Sequence, residues 1–167
     1  MLRKLGPWLM FVAALFVMSL GIALVTRGNL GTTPISSLPL VSSYASSLTF
    51  GETTFLINLL FVAAQWVLLR RSINKVLLLA QIPITLAFSY FIDTSMKFTE
   101  FLSSDVYWKC LAVSMLGNMV LGLGVALEVF SGAAALPGEG LVLAVSTVLH
   151  KPFSSVKIFK RAPADTE

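Results

Sequence analysis

The sequence predicts an all-α membrane protein, a polytopic helical bundle, and three observations carry that prediction. Charge is sparse, at 12% of 167 residues, while 56% are hydrophobic. The charges that exist flank long uncharged runs rather than interrupting them. Two further apolar segments are broken by proline, glycine and serine.

A soluble domain carries about 25% charged residues because water must wet its surface. Half that charge cannot cover a folded globule in water, so lipid contact must take its place. The mean hydropathy of +0.86 agrees. A formal charge of +4 is compatible with nucleic acid, but these basic residues border apolar runs. That placement sets membrane orientation and attracts anionic lipid headgroups. No nucleic-acid partner is expected. The single cysteine, Cys110, allows no intrachain disulfide and reads as a small apolar helix residue.

A bilayer core requires about 20 apolar residues in a helix. Residues 5–26, 53–69, 76–92 and 110–127 each run 17 to 22 residues without a charge, and these four are read as spans. The first follows Arg3 and Lys4 but is too long for a signal h-region and has no A-x-A-like site, so it is a retained span. Residues 30–50 contain Pro34, Pro39 and six serines. Residues 129–150 are interrupted by Pro137-Gly138-Glu139-Gly140. Stretches this short read as re-entrant or interfacial. Broken backbone at membrane depth persists only where protein or a water-filled cavity satisfies its polar groups.

The chain reads as a single transmembrane domain, 1–167, with an internal repeat at an offset of 103 residues. Leu20-Gly21-Ile22-Ala23-Leu24 aligns on Leu123-Gly124-Val125-Ala126-Leu127, and Pro34 on Pro137, Leu38 on Leu141, Leu40 on Leu143, Ser43 on Ser146. Each copy is a span, a loose stretch, then a proline opening a short apolar helix. The copies are 1–100 and 104–167. With the N-terminus cytoplasmic and both broken segments re-entrant, Arg3, Lys4, Arg70, Arg71, Lys75, Lys151, Lys157, Lys160 and Arg161 all fall inside, as the positive-inside rule prefers. Three full spans in the first copy then invert the second. Inverted repeats broken at corresponding positions point to a transporter's central site. The repeat also predicts counterparts of 53–69 and 76–92 at 156–172 and 179–195, past residue 167. The second copy is therefore expected to be incomplete, either as a truncated product or completed by a homodimer.

The stretches GIALVTRGNLGTTPISSLPLV and LPGEGLVLAVSTVL resemble the YczE/YyaS/YitT-type family of bacterial integral membrane proteins. The likeness runs to about Lys160 and rests on LG-x-AL, G-x-x-P and P-G-E-G in that order. It implies a multi-pass protein of the bacterial cytoplasmic (inner) membrane and little about substrate. Members of that family continue past the VKIF-type segment with further hydrophobic helices.

Glu139 is the sharpest candidate for chemistry. A carboxylate at membrane depth is costly, so it faces a cavity, finds a partner or binds protons. Gly138 and Gly140 permit close approach and unusual backbone angles, and Pro137 suits the first helical position. The plainer reading makes Glu139 a cap of that helix at the cytoplasmic interface. In the first copy, Gly31, Thr32, Thr33, Pro34 and Ser36 form the matching segment. Its N–H groups suit an anionic group, or its hydroxyls merely satisfy broken backbone. Arg27 and Glu128 read as snorkelling interfacial charges at different faces. Asn58, Gln65, Gln81 and Asn118 read as interhelical hydrogen-bonding residues. Gly117, Gly122 and Gly124 read as close-packing positions, and Trp8, Trp66 and Trp108 as an aromatic belt. His150 has no second histidine or cysteine cluster, so no metal is expected. Phosphate-loop, nucleophile-elbow and zinc-protease motifs are missing, so neither an enzyme nor a cofactor is expected. The expected function is transport of a small solute or ion, with proton coupling through Glu139 as one form. A membrane scaffold or regulator that transports nothing is the alternative.

Overall fold

A computed structural model describes residues 2–68, 75–103, 106–132 and 136–148. The expected basic loop at Arg70 and Arg71, and everything from His150 onward, lie outside the described residues. Six α-helices follow in order: α1 (Leu2–Arg27), α2 (Pro34–Ala45), α3 (Phe50–Leu68), α4 (Lys75–Phe98), α5 (Tyr107–Ser131) and α6 (Pro137–Val148), with a 3₁₀ turn over Glu100–Leu102. Among the described residues no strand occurs.

Gly6–Arg27, Phe50–Leu68 and Tyr107–Ser131 are long and apolar enough to cross a membrane. They cover three of the four expected spans. The fourth lies in α4, which has the length at 24 residues but carries Gln81, Thr85, Ser89, Asp93 and Ser95, and its described part is not among the three. Those polar residues turn inward: Gln81, Thr85, Ser89 and Ser95 are all buried, while Leu79, Leu86 and Tyr90 are exposed. Other helices likewise bury polar residues beside an apolar core of Phe11, Leu15, Phe88 and Ile92. Ser19, Thr53, Asn58 and Gln65 are buried, and Leu9, Phe16, Leu60 and Leu123 face outward. A chain folding in water would bury the second group; this one is a membrane protein. Trp8, Trp66 and Trp108 sit near helix ends and are at least half exposed, as an aromatic belt requires.

α1 is the central helix, with 56% of its apolar window buried against 33% in α3 and 17% in α5. Its partner is α5, and the two are joined by glycine. A Cβ on Gly21 would lie 2.5 Å from the backbone N of Leu121, one on Gly117 would lie 2.6 Å from that of Val25, and one on Gly124 would lie 2.7 Å from that of Met18. These contacts share one antiparallel register. Of the three glycines singled out from sequence, Gly117 and Gly124 pack closely, but Gly122 has nothing within 4 Å because it faces away from α1. Gly21, on the other helix, does the work assigned to it.

Side-chain pairs give the remaining directions. Gln65 meets Gln81 and Gly51 meets Asp93, so α3 and α4 are antiparallel. Phe16 meets Phe91 and Ser19 meets Ser95, so α1 and α4 run parallel. The N-terminus of α1 therefore shares an end of the bundle with the ends of α3 and α4 that flank 69–74. Residues 99–103 and Val106 belong to the opposite end.

At that opposite end the start of α3 is tied down twice. Thr49 and Glu52 form a reciprocal capping box, Thr49 N donating to Glu52 Oε2 at 2.8 Å and Glu52 N donating to Thr49 Oγ1 at 3.1 Å. Asp93 of α4 accepts from Thr49 Oγ1 and from Gly51 N, both at 2.7 Å. A Cβ on Gly51 would lie 2.5 Å from Asp93 Oδ2, so only glycine admits that carboxylate. Hydrogen bonds to a charged group contribute about 1.5–3 kcal/mol each. Asp93→Ala is accordingly expected to lower the thermal midpoint of the purified protein in detergent, whereas Asp93→Asn keeps part of the loss at bay by retaining one acceptor. Equal melting of all three proteins would show that this tie is not structural.

α2 and α6 each begin at the expected proline, 103 positions apart. Both pack on α3. Arg27 Nη2 donates to the Met96 carbonyl at 2.9 Å, and Gly51 bonds to Asp93 one turn earlier on α4. The segment between Arg27 and Phe50 thus leaves and rejoins the bundle at one end, while its middle reaches inward.

Candidate functional site

That inward reach ends in a cavity of about 230 Å³. Met18 and Ile22 of α1, Phe88 and Ile92 of α4, and Leu121 and Val125 of α5 wall it. Met18, Phe88 and Leu121 lie near the midpoints of their helices and Ile22, Ile92 and Val125 about one turn beyond, so the cavity lies within the bundle. Its floor and roof come from the broken segments: Thr33 and Ser36 from the start of α2, Gly138 and Glu139 from the start of α6. The two helix starts touch, since a Cβ on Gly138 would lie 3.5 Å from Ile35 Cγ2. Residues 103 apart in sequence converge on one space.

The nine candidate residues divide as follows. Thr33, Ser36, Gly138 and Glu139 line the cavity. Pro34 and Pro137 open their helices. Gly31 adopts φ +128°, a left-handed conformation that favours glycine, in the turn before α2. Thr32 Oγ1 is buried without a hydrogen-bond partner. Thr33 is the N-cap of α2, accepting from Ser36 N at 3.3 Å and donating its hydroxyl proton to Ser36 Oγ at 2.8 Å. The polar atoms of this pair serve the helix start and also line the cavity.

Gly138 and Gly140 do not have the unusual backbone angles anticipated for them; positive φ among described glycines falls at Gly31 and Gly132. Both are helical, and Gly140 is needed for closeness instead. A Cβ there would lie 2.6 Å from Gln65 Oε1. Gln65 holds the junction: its Nε2 donates to the Pro137 carbonyl at 2.9 Å and to Gln81 Oε1 at 3.3 Å, and Gln81 Nε2 donates back at 3.4 Å. One buried amide thus links α3, α4 and α6. Asn118, by contrast, bonds within its own helix, to the Ser114 carbonyl.

Two functional residues went unrecognised in the sequence. Asn58 was expected to bridge helices, but it is 7% exposed and lines the cavity. Glu128 was expected to snorkel at an interface. It is 3% exposed instead. Its Oε1 accepts from Leu136 N at 3.3 Å, while Oε2 is buried without a partner. Leu136 immediately precedes α6, so Glu128 supplies the capping acceptor that was attributed to Glu139. Tertiary packing explains the difference. α5 turns back at Gly132, φ +57°, and brings the start of α6 against its own last turn. Arg27 is likewise half-buried, with its charge on the Met96 carbonyl rather than in the headgroups.

The model of a family of unknown function (DUF6198) matches residues 5–161. The chain belongs to the DUF6198 family. No match was found among curated proteins or among solved structures. The matched range takes in every described helix and both broken segments, so the cavity of this DUF6198 protein is built wholly from family sequence.

Proposed function

We propose that this protein transports a small solute across a bacterial inner membrane, with the cavity as its binding site. The carrying observation is a cavity that Asn58, 7% exposed, lines together with both short-helix starts. Discontinuous helices meeting at the midplane are the usual architecture of a secondary-transporter site. The matching starts of α2 and α6 and the antiparallel α1–α5 pair support an inverted repeat with two re-entrant segments. The helix directions suit a cytoplasmic N-terminus under the positive-inside rule, and the resemblance to YczE/YyaS/YitT-type proteins supports the bacterial inner membrane.

The walls narrow the substrate. A mainly apolar wall, to which α3 also contributes Ile57 and Phe61, faces a few polar groups, Thr54, Asn58, Glu139 and the Thr33–Ser36 pair. A bare ion needs several oxygen ligands around it, so a small, mainly apolar solute with one polar end fits better. About 230 Å³ is below the range of a drug-sized site, about 300–1,000 Å³.

Water access tests this reading without knowing the substrate. Asn58→Cys, in a Cys110→Ser background, is expected to react with a small charged methanethiosulfonate in proteoliposomes, and Leu60→Cys on the lipid-facing side is not. A scaffold needs no aqueous path into the bundle. Complete protection of position 58 from both sides would sink the transport reading.

A further inference from the structure

We infer that Glu128 is a proton-binding site, and that its proton holds the start of α6 in place. The site is built from geometry. Glu128 is 3% exposed, on the last turn of α5, with Oε1 on Leu136 N and Oε2 lacking any partner. A buried carboxylate persists when it is paired, neutralised or bound to a metal. Among the described residues no cation reaches this one. α1, packed against it, carries no charge between Lys4 and Arg27. In the α1–α5 register fixed by Gly117 and Gly124, Arg27 lies about 20 Å away along the helices. Lys109 is at the far end of α5, and Glu52 of α3, with Asp93 and Lys97 of α4, belongs to Arg27's end. The acid on α6 is Glu139, three residues past the Leu136 whose N–H Glu128 Oε1 accepts.

Two carboxylates that repel in low dielectric cannot both ionise cheaply. One proton on Glu128 Oε2 removes the repulsion: an O–H bond forms, the charge falls from −1 to zero, and the proton comes from water. Oε1 keeps the Leu136 N–H. Loss of the proton leaves two facing negative charges across the α5–α6 corner, which drives the start of α6 and Glu139 away and opens the cavity on that side. Proton binding is thereby linked to the position of the segment that closes the cavity. This deepens the transport reading by naming the coupling ion, and its test requires no transport.

The test is infrared difference spectroscopy of the full chain in lipid nanodiscs. Wild-type protein is expected to show the carbonyl stretch of a protonated carboxylic acid at neutral pH, where exposed carboxylates are ionised. Glu128→Gln, whose amide oxygen still accepts from Leu136, should remove that band. Glu139→Gln should keep it and change its titration midpoint. Glu128→Asp, a second route should Glu128→Gln fold poorly, should shift its frequency. A wild-type protein without the band, or a band unchanged in frequency and intensity by both Glu128 variants, overturns the proposal. Neither result bears on Asn58 accessibility, so the two readings fail separately.

Discussion

Gly124→Val will unseat α5 from α1, and of all single substitutions considered it should damage the fold most. A Cβ at position 124 would lie 2.7 Å from the Met18 backbone N and 2.5 Å from Met18 Cγ. The side chain can rotate away, but the backbone cannot. Met18 belongs to the central helix, which also holds α4 through Phe16 and Ser19, so it has nowhere to move. Between helices in lipid, close packing of small residues is a principal attraction, and valine replaces it with a wedge. Overpacking costs typically about 1–3 kcal/mol and sometimes more. The expected readout is loss of the monodisperse peak on size exclusion in detergent, or a large fall in thermal midpoint. Gly122→Val is the matched control, two residues along the same helix with nothing within 4 Å. It should stay within about 0.5 kcal/mol of wild type. If the two valines behave alike, the seam is not a backbone contact.

Gln65→Leu should be the next most damaging change, because one amide serves three helices. It leaves the Pro137 carbonyl and the Gln81 amide without their buried partner, and each unmet group costs about 1–3 kcal/mol. Gln81→Leu removes only one link. The double variant should therefore cost less than the two single changes added, with a coupling of about 0.5–3 kcal/mol. Additive losses would mean that the two amides do not work as a pair. Loss of the Pro137 bond should also free α6, read as faster proteolysis after Ser131 in Gln65→Leu than in Gln81→Leu.

Much of this architecture was legible in the sequence because lipid imposes long-range constraints that composition records. A helix must be apolar for its whole length to cross a bilayer, so charge-free runs located α1, α3 and α5 and most of α4. Pro34 and Pro137 marked the first residues of α2 and α6, since proline lacks an N–H and suits a helix's first turn. The offset of 103 was visible for the same reason, and it led to the pair of segments that meet at the cavity.

Which polar residue does what was not legible, because that depends on which face of a helix meets which neighbour. Gly122 and Gly124 differ by two residues, a rotation of about 200°, so one packs on α1 and the other does not. Asn58 and Gln65 sit on one face of α3 two turns apart, yet Gln65 meets Gln81 and Pro137 while Asn58 lines the cavity. Glu128 looked like an interfacial charge because it ends a hydrophobic run. The turn at Gly132 folds α6 back over it, and burial, a property of the assembled helices alone, makes it a site. The sequence by itself determined the membrane class, the helix count and the two broken segments, since each follows from local composition. Only the tertiary structure decided that those segments share a cavity, and that a buried carboxylate lies behind it.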